Sequence, residues 1–230
     1  MPEIYSLSSF SDPEAVARYV EGPVRLVPGF HDLQRMAALL LAERVENDAR
    51  ILVLGAGGGL ELKAFADWHP QWRFDGVDPS LEMLELARHT LGTLASRVVL
   101  HEGYIESAPD GPFDGATCLL TLHFVPRNER LRTLVEIHRR LRPGAPFVVA
   151  HHSFPQDGDE KSLWLDRYAA FAVASGVPAE KARNAVAAIG DQLPILSPAE
   201  DEALLREAGF CDVGLFYAGF TFRGWVAFRS

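Results

Sequence analysis

The stretch Ala49–Arg88, "ARILVLGAGGGLELKAFADWHPQWRFDGVDPSLEMLELAR", sets glycines 55, 57, 58 and 59 between an apolar run and an amphipathic segment. "RILVLG" is continuously apolar, as a strand covered on both sheet faces must be. The glycines bring backbone without Cβ atoms to the turn into a helix over 59–68. The positive end of that helix favours an anionic group. A second strand, "WRFDGVD" (72–78), ends on Asp78, and a helix over 80–91 follows. Strand, glycine turn, helix and parallel strand are the opening unit of a doubly wound sheet.

Two ligand classes use such a turn. Dinucleotide enzymes need G-x-G-x-x-G, with the third glycine packing close around a pyrophosphate. Gly55-Ala56-Gly57-Gly58-Gly59-Leu60 puts leucine at that third place and satisfies G-x-G-x-G instead. Asp78 lies 21 positions beyond Gly57 (78 − 57), where a carboxylate meets the two hydroxyls of a ribose. Its alternative task is to cap the next helix, which Ser80 can perform instead.

Outward from this unit, βα alternation continues. Strands are predicted at 97–102, 113–120 and 146–152, with a helix over 127–141 stopped by "RPG" (142–144). The Ala-rich segment 157–196 is a helical insertion over the sheet. Ser197-Pro198-Ala199-Glu200 is a capping box opening a helix over 198–207, and "DVGLFYAG" and "FTFRGWVAFR" form an antiparallel hairpin. Upstream, residues 1–48 read as a helical lid. "SDPEAVARYV" is capped by Ser11 or Asp12, and an apolar stripe at 33, 36, 37, 40, 41 and 45 follows the turn "VPGF". The expected architecture is α/β, a doubly wound, mostly parallel seven-stranded sheet. It divides into the lid 1–48 and a domain 49–230 within one structural unit.

The 230 residues suffice for one buried α/β core, and a 48% hydrophobic content is that of a soluble globular chain. The longest apolar run, Ala37 to Ala42, is too short for a membrane span, and no signal peptide is read at the N-terminus. The expectation is a cytoplasmic protein. Cys118 and Cys211 read as small buried hydrophobes, with no cysteine metal site. A net charge of −9 argues against a large phosphate-binding face. The segment 127–142 is the local exception, with Arg127, Arg130, Arg132, Arg139, Arg140 and Arg142. It reads as the solvated face of a helix, its alternative being a docking patch for RNA or an acidic partner.

Taken together, these residues resemble the class I S-adenosylmethionine-dependent methyltransferases. "VLGAGGG" looks like their first motif and "VDPSLEMLELAR" like their D-x-S-x-x-M-L-x-x-A-R signature. "GPFDGATCLLTLHFV", "EIHRRLRPGAPFVVA" and "LLREAGFCDVGLF" are similar to their later segments. "VPGF" and "LFYAGFTFRGWVAF" resemble the subgroup containing carboxy-S-adenosylmethionine synthase of tRNA wobble-uridine modification. The resemblance implies S-adenosylmethionine as cofactor and a small-molecule acceptor; no metal is expected, because the neighbouring His151 and His152 cannot easily chelate one with Asp157, Asp159 or Glu160. It implies cofactor contacts from Phe30, Gly55, Ala56, Gly57, Gly59, Asp78, Pro79, Met83, Tyr104, Ile105 and Leu119. Met83 reads more as core than as a cofactor contact. The lid helices are the candidate contact of a homodimer.

Four departures qualify the resemblance. Val53 stands where the first motif carries an acid, so one cofactor-amine contact must come from elsewhere. Gly103-Tyr104 replaces Gly-Asp after the third strand, and Leu119 aligns with an asparagine of the synthase subgroup. That subgroup has an arginine for its ligand's extra carboxylate near Ala188, and Arg183 is out of register with it. Burying an added carboxylate without that cation is costly, which favours ordinary S-adenosylmethionine.

Methyl transfer is an in-line displacement, so alignment is the main task and a base serves only an acceptor that must lose a proton. His123 and His151 are the candidate catalytic residues, at the carboxyl ends of strands four and five. Adjacent strand residues face opposite ways, so only one of His151 and His152 can face the site. Trp164 and Tyr168, one helical turn apart, are the candidate acceptor wall. Synthesis of carboxy-S-adenosylmethionine and a non-catalytic, cofactor-binding regulatory module are the alternative functions.

Overall fold

The computed structural model describes residues 22–230; the expected helix over "SDPEAVARYV" lies outside them. Short helix α1 (Gly22–Leu26) leads into α2 (Phe30–Ala42), which starts at left-handed Gly29 of the "VPGF" turn. The strands are β1 (Arg50–Leu54), β2 (Arg73–Asp78), β3 (Val98–Glu102), β4 (Gly115–Leu119), β5 (Pro146–His152), β6 (Phe210–Gly219) and β7 (Phe222–Arg229). Between them run α3 (Leu60–Trp68), α4 (Leu81–Leu91), α5 (Arg127–Arg140), α6 (Gly158–Ala174), α7 (Ala179–Gln192) and α8 (Pro198–Glu207).

The sheet order is β3-β2-β1-β4-β5-β7-β6. The first five strands pair in parallel, and β7 joins both β5 and β6 antiparallel. Strand order therefore reverses between β1 and β4. A crevice opens there, at the carboxyl ends of the strands, and the glycine turn follows β1 directly into it.

Helices cover both faces, which is why β1 is continuously apolar from Ile51 to Leu54 and β5 from Pro146 to Ala150. On one face, Ile51, Val53, Val148 and Ala150 pack with Leu33, Ala37 and Leu41 of α2, Phe65 of α3, and Tyr168 and Ile189 of the insertion. On the other, Leu52, Leu54, Phe147 and Val149 meet Leu134 and Ile137 of α5 and Leu204 and Leu205 of α8. The insertion is two helices, α6 against α7, and α8 carries the expected capping box, Ser197 with Glu200.

One expectation is corrected: Cys118 is buried, but Cys211 is exposed. Cys211 lies on β6, the outermost strand, whose pairing with β7 is interrupted between Cys211 and Gly214. An edge strand can leave apolar side chains in water where a central one cannot. Among the described residues no helix is long and apolar enough to cross a membrane.

Candidate cofactor site

The glycines are explained by what surrounds them. Gly59 adopts φ +71°, and a Cβ there would stand 2.8 Å from the Ala87 backbone, so this residue lets α3 start against α4. Gly55 adopts φ +82°, and a Cβ would overlap the Thr121 side chain after β4. Both positions demand glycine for conformation and for space.

The turn is tied down from within. The Gly55 and Ala56 N–H groups donate to the Val77 carbonyl at 2.9 and 3.0 Å, Gly58 donates to Met83 at 3.0 Å, and Gly59 donates to Ala56 at 3.1 Å. Gly57 donates to Asp78 Oδ2 at 3.0 Å. With every amide from 55 to 59 committed, the turn is no open cradle for a pyrophosphate, in agreement with leucine at position 60.

Asp78 is fixed at both oxygens, because its Oδ1 also accepts from Ser80 N at 3.0 Å. Capping α4 falls to Ser80, whose Oγ accepts from Met83 N at 3.2 Å. Each Asp78 oxygen keeps a lone pair for an incoming hydroxyl. Burial raises the carboxyl pKa above its ordinary value, against the lowering effect of the Ser80 and Gly57 amides. Gly103 N donates to Asp78 O at 3.0 Å, which draws the turn after β3 beside it.

A cleft lies over this frame. Phe30, Leu33 and Gln34 of α2 form one wall, Gly55, Ala56, Gly57, Leu60 and Glu61 the floor, and Leu119 and Leu120 the end of β4. Expected residues Phe30, Gly55, Ala56, Gly57 and Leu119 thus share one cleft. Gly59 and Met83 support the turn from behind, Pro79 is exposed, Ile105 is buried, and Tyr104 presents a 67% exposed ring.

Sequence reasoning missed Gln34 and Glu61. Gln34 is buried, and its amide makes no hydrogen bond among the described residues. Its signal was a polar residue within an apolar helix stripe. Glu61 accepts a hydrogen bond from the Thr117 hydroxyl on β4, and burial pushes its carboxyl up to about 8. Its place in a first helical turn disguised it as an ordinary complement to the helix dipole.

The histidines divide by face. His151 points to the α5 and α8 side, where Nε2 lies 3.2 Å from Asp201 Oδ2 and Trp225 packs against the ring. Asp201 also accepts from Arg130 at 2.7 Å, fully buried. The choice of His151 over His152 as the site-facing member of the pair is therefore corrected. His152 shares the face of Ala150 and Val148, with Nδ1 2.9 Å from Thr221 Oγ1 and its ring stacked on Phe222. His152 N donates to His123 Nδ1 at 3.4 Å. Burial, then the charge on His151, brings the His152 pKa down to about 3. Burial, followed by the charges on His152, His151 and Arg130, holds His123 well below its ordinary value.

Tyr168 is wholly buried against His152 and Phe222, a core side chain where an open acceptor wall was expected. Trp164 is clasped by Arg167 and Arg223, with guanidinium carbons 4.6 and 5.1 Å from the ring centre. Neither lines the cleft. Among the described residues no group of three or more acidic, histidine or cysteine side chains could hold a metal.

The bare turn, the two-oxygen Asp78 and the half-apolar cleft fit an adenosyl ligand carrying an amino-acid end. Comparisons with known proteins agree. Residues 51–144 match the family described as a methyltransferase domain. The chain is similar to the carboxy-S-adenosyl-L-methionine synthase of Chromohalobacter salexigens, at 28% identity over 97% of this chain and 85% of the relative. It is also similar to that of Actinobacillus succinogenes, at 26% over 98% and 96%. In fold it is similar to an S-adenosylmethionine-dependent methyltransferase from Aquifex aeolicus (TM-score 0.64, 19% identity, 95% of this chain and 99% of that one). An O-methyltransferase family protein from Burkholderia thailandensis gives a TM-score of 0.68 at 16% identity, over 97% of this chain and 62% of that one. The chain thus carries a methyltransferase domain over residues 51–144, within the fold of the S-adenosylmethionine-dependent methyltransferases, and S-adenosylmethionine is the cofactor of that class.

Proposed function

We propose that the protein moves the sulfonium methyl group of S-adenosylmethionine to a small-molecule acceptor. The observation that carries this is the cleft over the glycine turn, beside Asp78 and lined by Phe30, Leu33, Leu119 and Leu120, with Glu61 the one ionisable side chain among its described lining residues. In the transfer, an acceptor lone pair forms the new bond to the methyl carbon as the carbon–sulfur bond breaks, leaving a neutral thioether. A histidine whose conjugate acid has a pKa of about 3 is a poor proton acceptor, so alignment in the cleft is the larger contribution.

The charge of α5 supports a small acceptor over RNA. Arg132 pairs with Glu106 at 2.6 Å, Arg139 with Asp110 at 3.1 Å, Arg140 with Glu136 and Arg142 with Asp114. Arg130 is buried on Asp201. Little cationic surface is left for phosphates.

End-to-end similarity to carboxy-S-adenosyl-L-methionine synthases favours a second reading, synthesis of the carboxylated cofactor. Against it, no lysine or arginine among the described residues lines the cleft, Ala188 is buried in α7, and Arg183 is exposed. Calorimetric titration with S-adenosylmethionine and S-adenosylhomocysteine tests the shared premise; absence of binding at high micromolar concentration ends it. Mass spectrometry of the ligand carried through purification separates the readings, because a carboxylated cofactor would establish the second.

A further inference from the structure

Glu61 is a titratable group in the cleft to which the transfer assigns no role. It sits in the first turn of α3 with its side chain in the cleft, and one carboxylate oxygen accepts from Thr117. Among the described residues no lysine, arginine or histidine nitrogen forms an ion pair with it. Ionising a partly buried carboxyl without a cation is costly, and a cation brought by a ligand to the cleft offsets that cost.

The position of this carboxylate is informative. Thr117 is the β4 residue in register with Val53 of β1. Val53 is where the first motif of this class carries its acid, and its side chain faces the same side of the sheet as Phe30 and Leu119. The carboxylate absent from the strand is thus delivered to the neighbouring strand position by the helix. Gln34 also lines the cleft from α2, and an amide carbonyl there has the capacity to accept an N–H.

We propose that Glu61 and Gln34 form a seat for a primary ammonium, so that the cleft reads the α-amino group of its ligand's amino-acid end. This rests on the adenosyl-sulfonium reading above and deepens it. At neutral pH the free carboxyl, pushed up to about 8 by burial, is largely protonated. Ammonium binding converts it to carboxylate, and the displaced proton passes to solvent.

The test is calorimetric titration of the full chain with S-adenosylhomocysteine and with 5′-methylthioadenosine, which lacks the amino-acid end. Each titration is run at pH 7 in two buffers of different ionisation enthalpy. The native chain is expected to favour S-adenosylhomocysteine and to release a proton on binding it. Glu61→Gln is expected to weaken S-adenosylhomocysteine by about tenfold to a hundredfold, the worth of a charge-assisted hydrogen bond, and to abolish proton release. Its affinity for 5′-methylthioadenosine should stay within about twofold, since no ammonium is involved. Gln34→Leu should move binding in the same direction by less, and provides a second variant should the first fold poorly. The proposal is overturned if Glu61→Gln keeps native affinity and proton release, or if it weakens both ligands equally. Failure of the native chain to bind either ligand would instead remove the reading on which the proposal rests.

Discussion

The free protein should lose stability on the alkaline side because of Glu61, and Glu61→Gln should relieve that loss. In the unfolded chain this carboxyl ionises near 4.5, whereas the folded chain holds its proton up to about 8. Between those values the folded state binds more protons than the unfolded one. The contribution is therefore fully present below 4.5 and lost as pH rises through about 8. Each unit of difference is worth about 1.4 kcal/mol, which sets an upper bound of about 5 kcal/mol over the interval. Water entering through the cleft screens the charge, so about 2–5 kcal/mol is the expected order. Glutamine keeps the shape and can still accept from Thr117, so the difference between native and variant isolates ionisation. Urea unfolding at half-unit steps from pH 5 to pH 9 measures it. The native chain should fall progressively relative to Glu61→Gln, with most of the loss complete by pH 8.5. Parallel curves for the two proteins would refute the assignment of a partly buried carboxyl without a cation among the described residues. Saturating S-adenosylhomocysteine should flatten the native curve, because its ammonium stabilises the ionised form.

Three further outcomes follow from the same geometry. Asp78→Ala removes both oxygens offered to a ribose and should weaken S-adenosylhomocysteine by about a hundredfold or more in calorimetry, at roughly 1.5–3 kcal/mol per charge-assisted bond; undiminished binding would contradict the assignment. Gly59→Ala combines a left-handed backbone with a Cβ 2.8 Å from the Ala87 backbone. It should cost about 2–4 kcal/mol in urea unfolding, where a neutral result would mean that α3 and α4 part easily. Asp201→Ala strands the fully buried Arg130 guanidinium and leaves His151 without its carboxylate, for a loss of about 3–5 kcal/mol read from the denaturation midpoint.

Much of the frame was legible because local chemistry enforces it. The apolar run of β1, the glycine turn, the Ser80 cap and the Ser197 capping box each act within a few residues, and each was found in place. Asp78 was legible by its distance from the turn. What sequence could not convey was side-chain direction between elements far apart in the chain. Strand alternation states that His151 and His152 face opposite ways, but the face of each depends on packing by α8, α6 and β7. Glu61 and Thr117 are 56 residues apart, and their meeting depends on β4 lying beside β1. Cys211 was misjudged for a related reason. Its apolar neighbours indicate a strand, whereas its exposure follows from that strand's place at the margin of the sheet.

The insertion of β7 between β5 and β6 also shapes how the chain is born. β5 ends at His152 and β7 does not begin until Phe222, so a growing chain carries the bare rim of a seven-residue strand, buried throughout in the finished fold, through the making of three helices and β6. Such a rim is a template for pairing with another nascent copy. Ribosomes stalled within this interval should yield insoluble fragments, whereas release after Arg229 lets the rim close on its own hairpin.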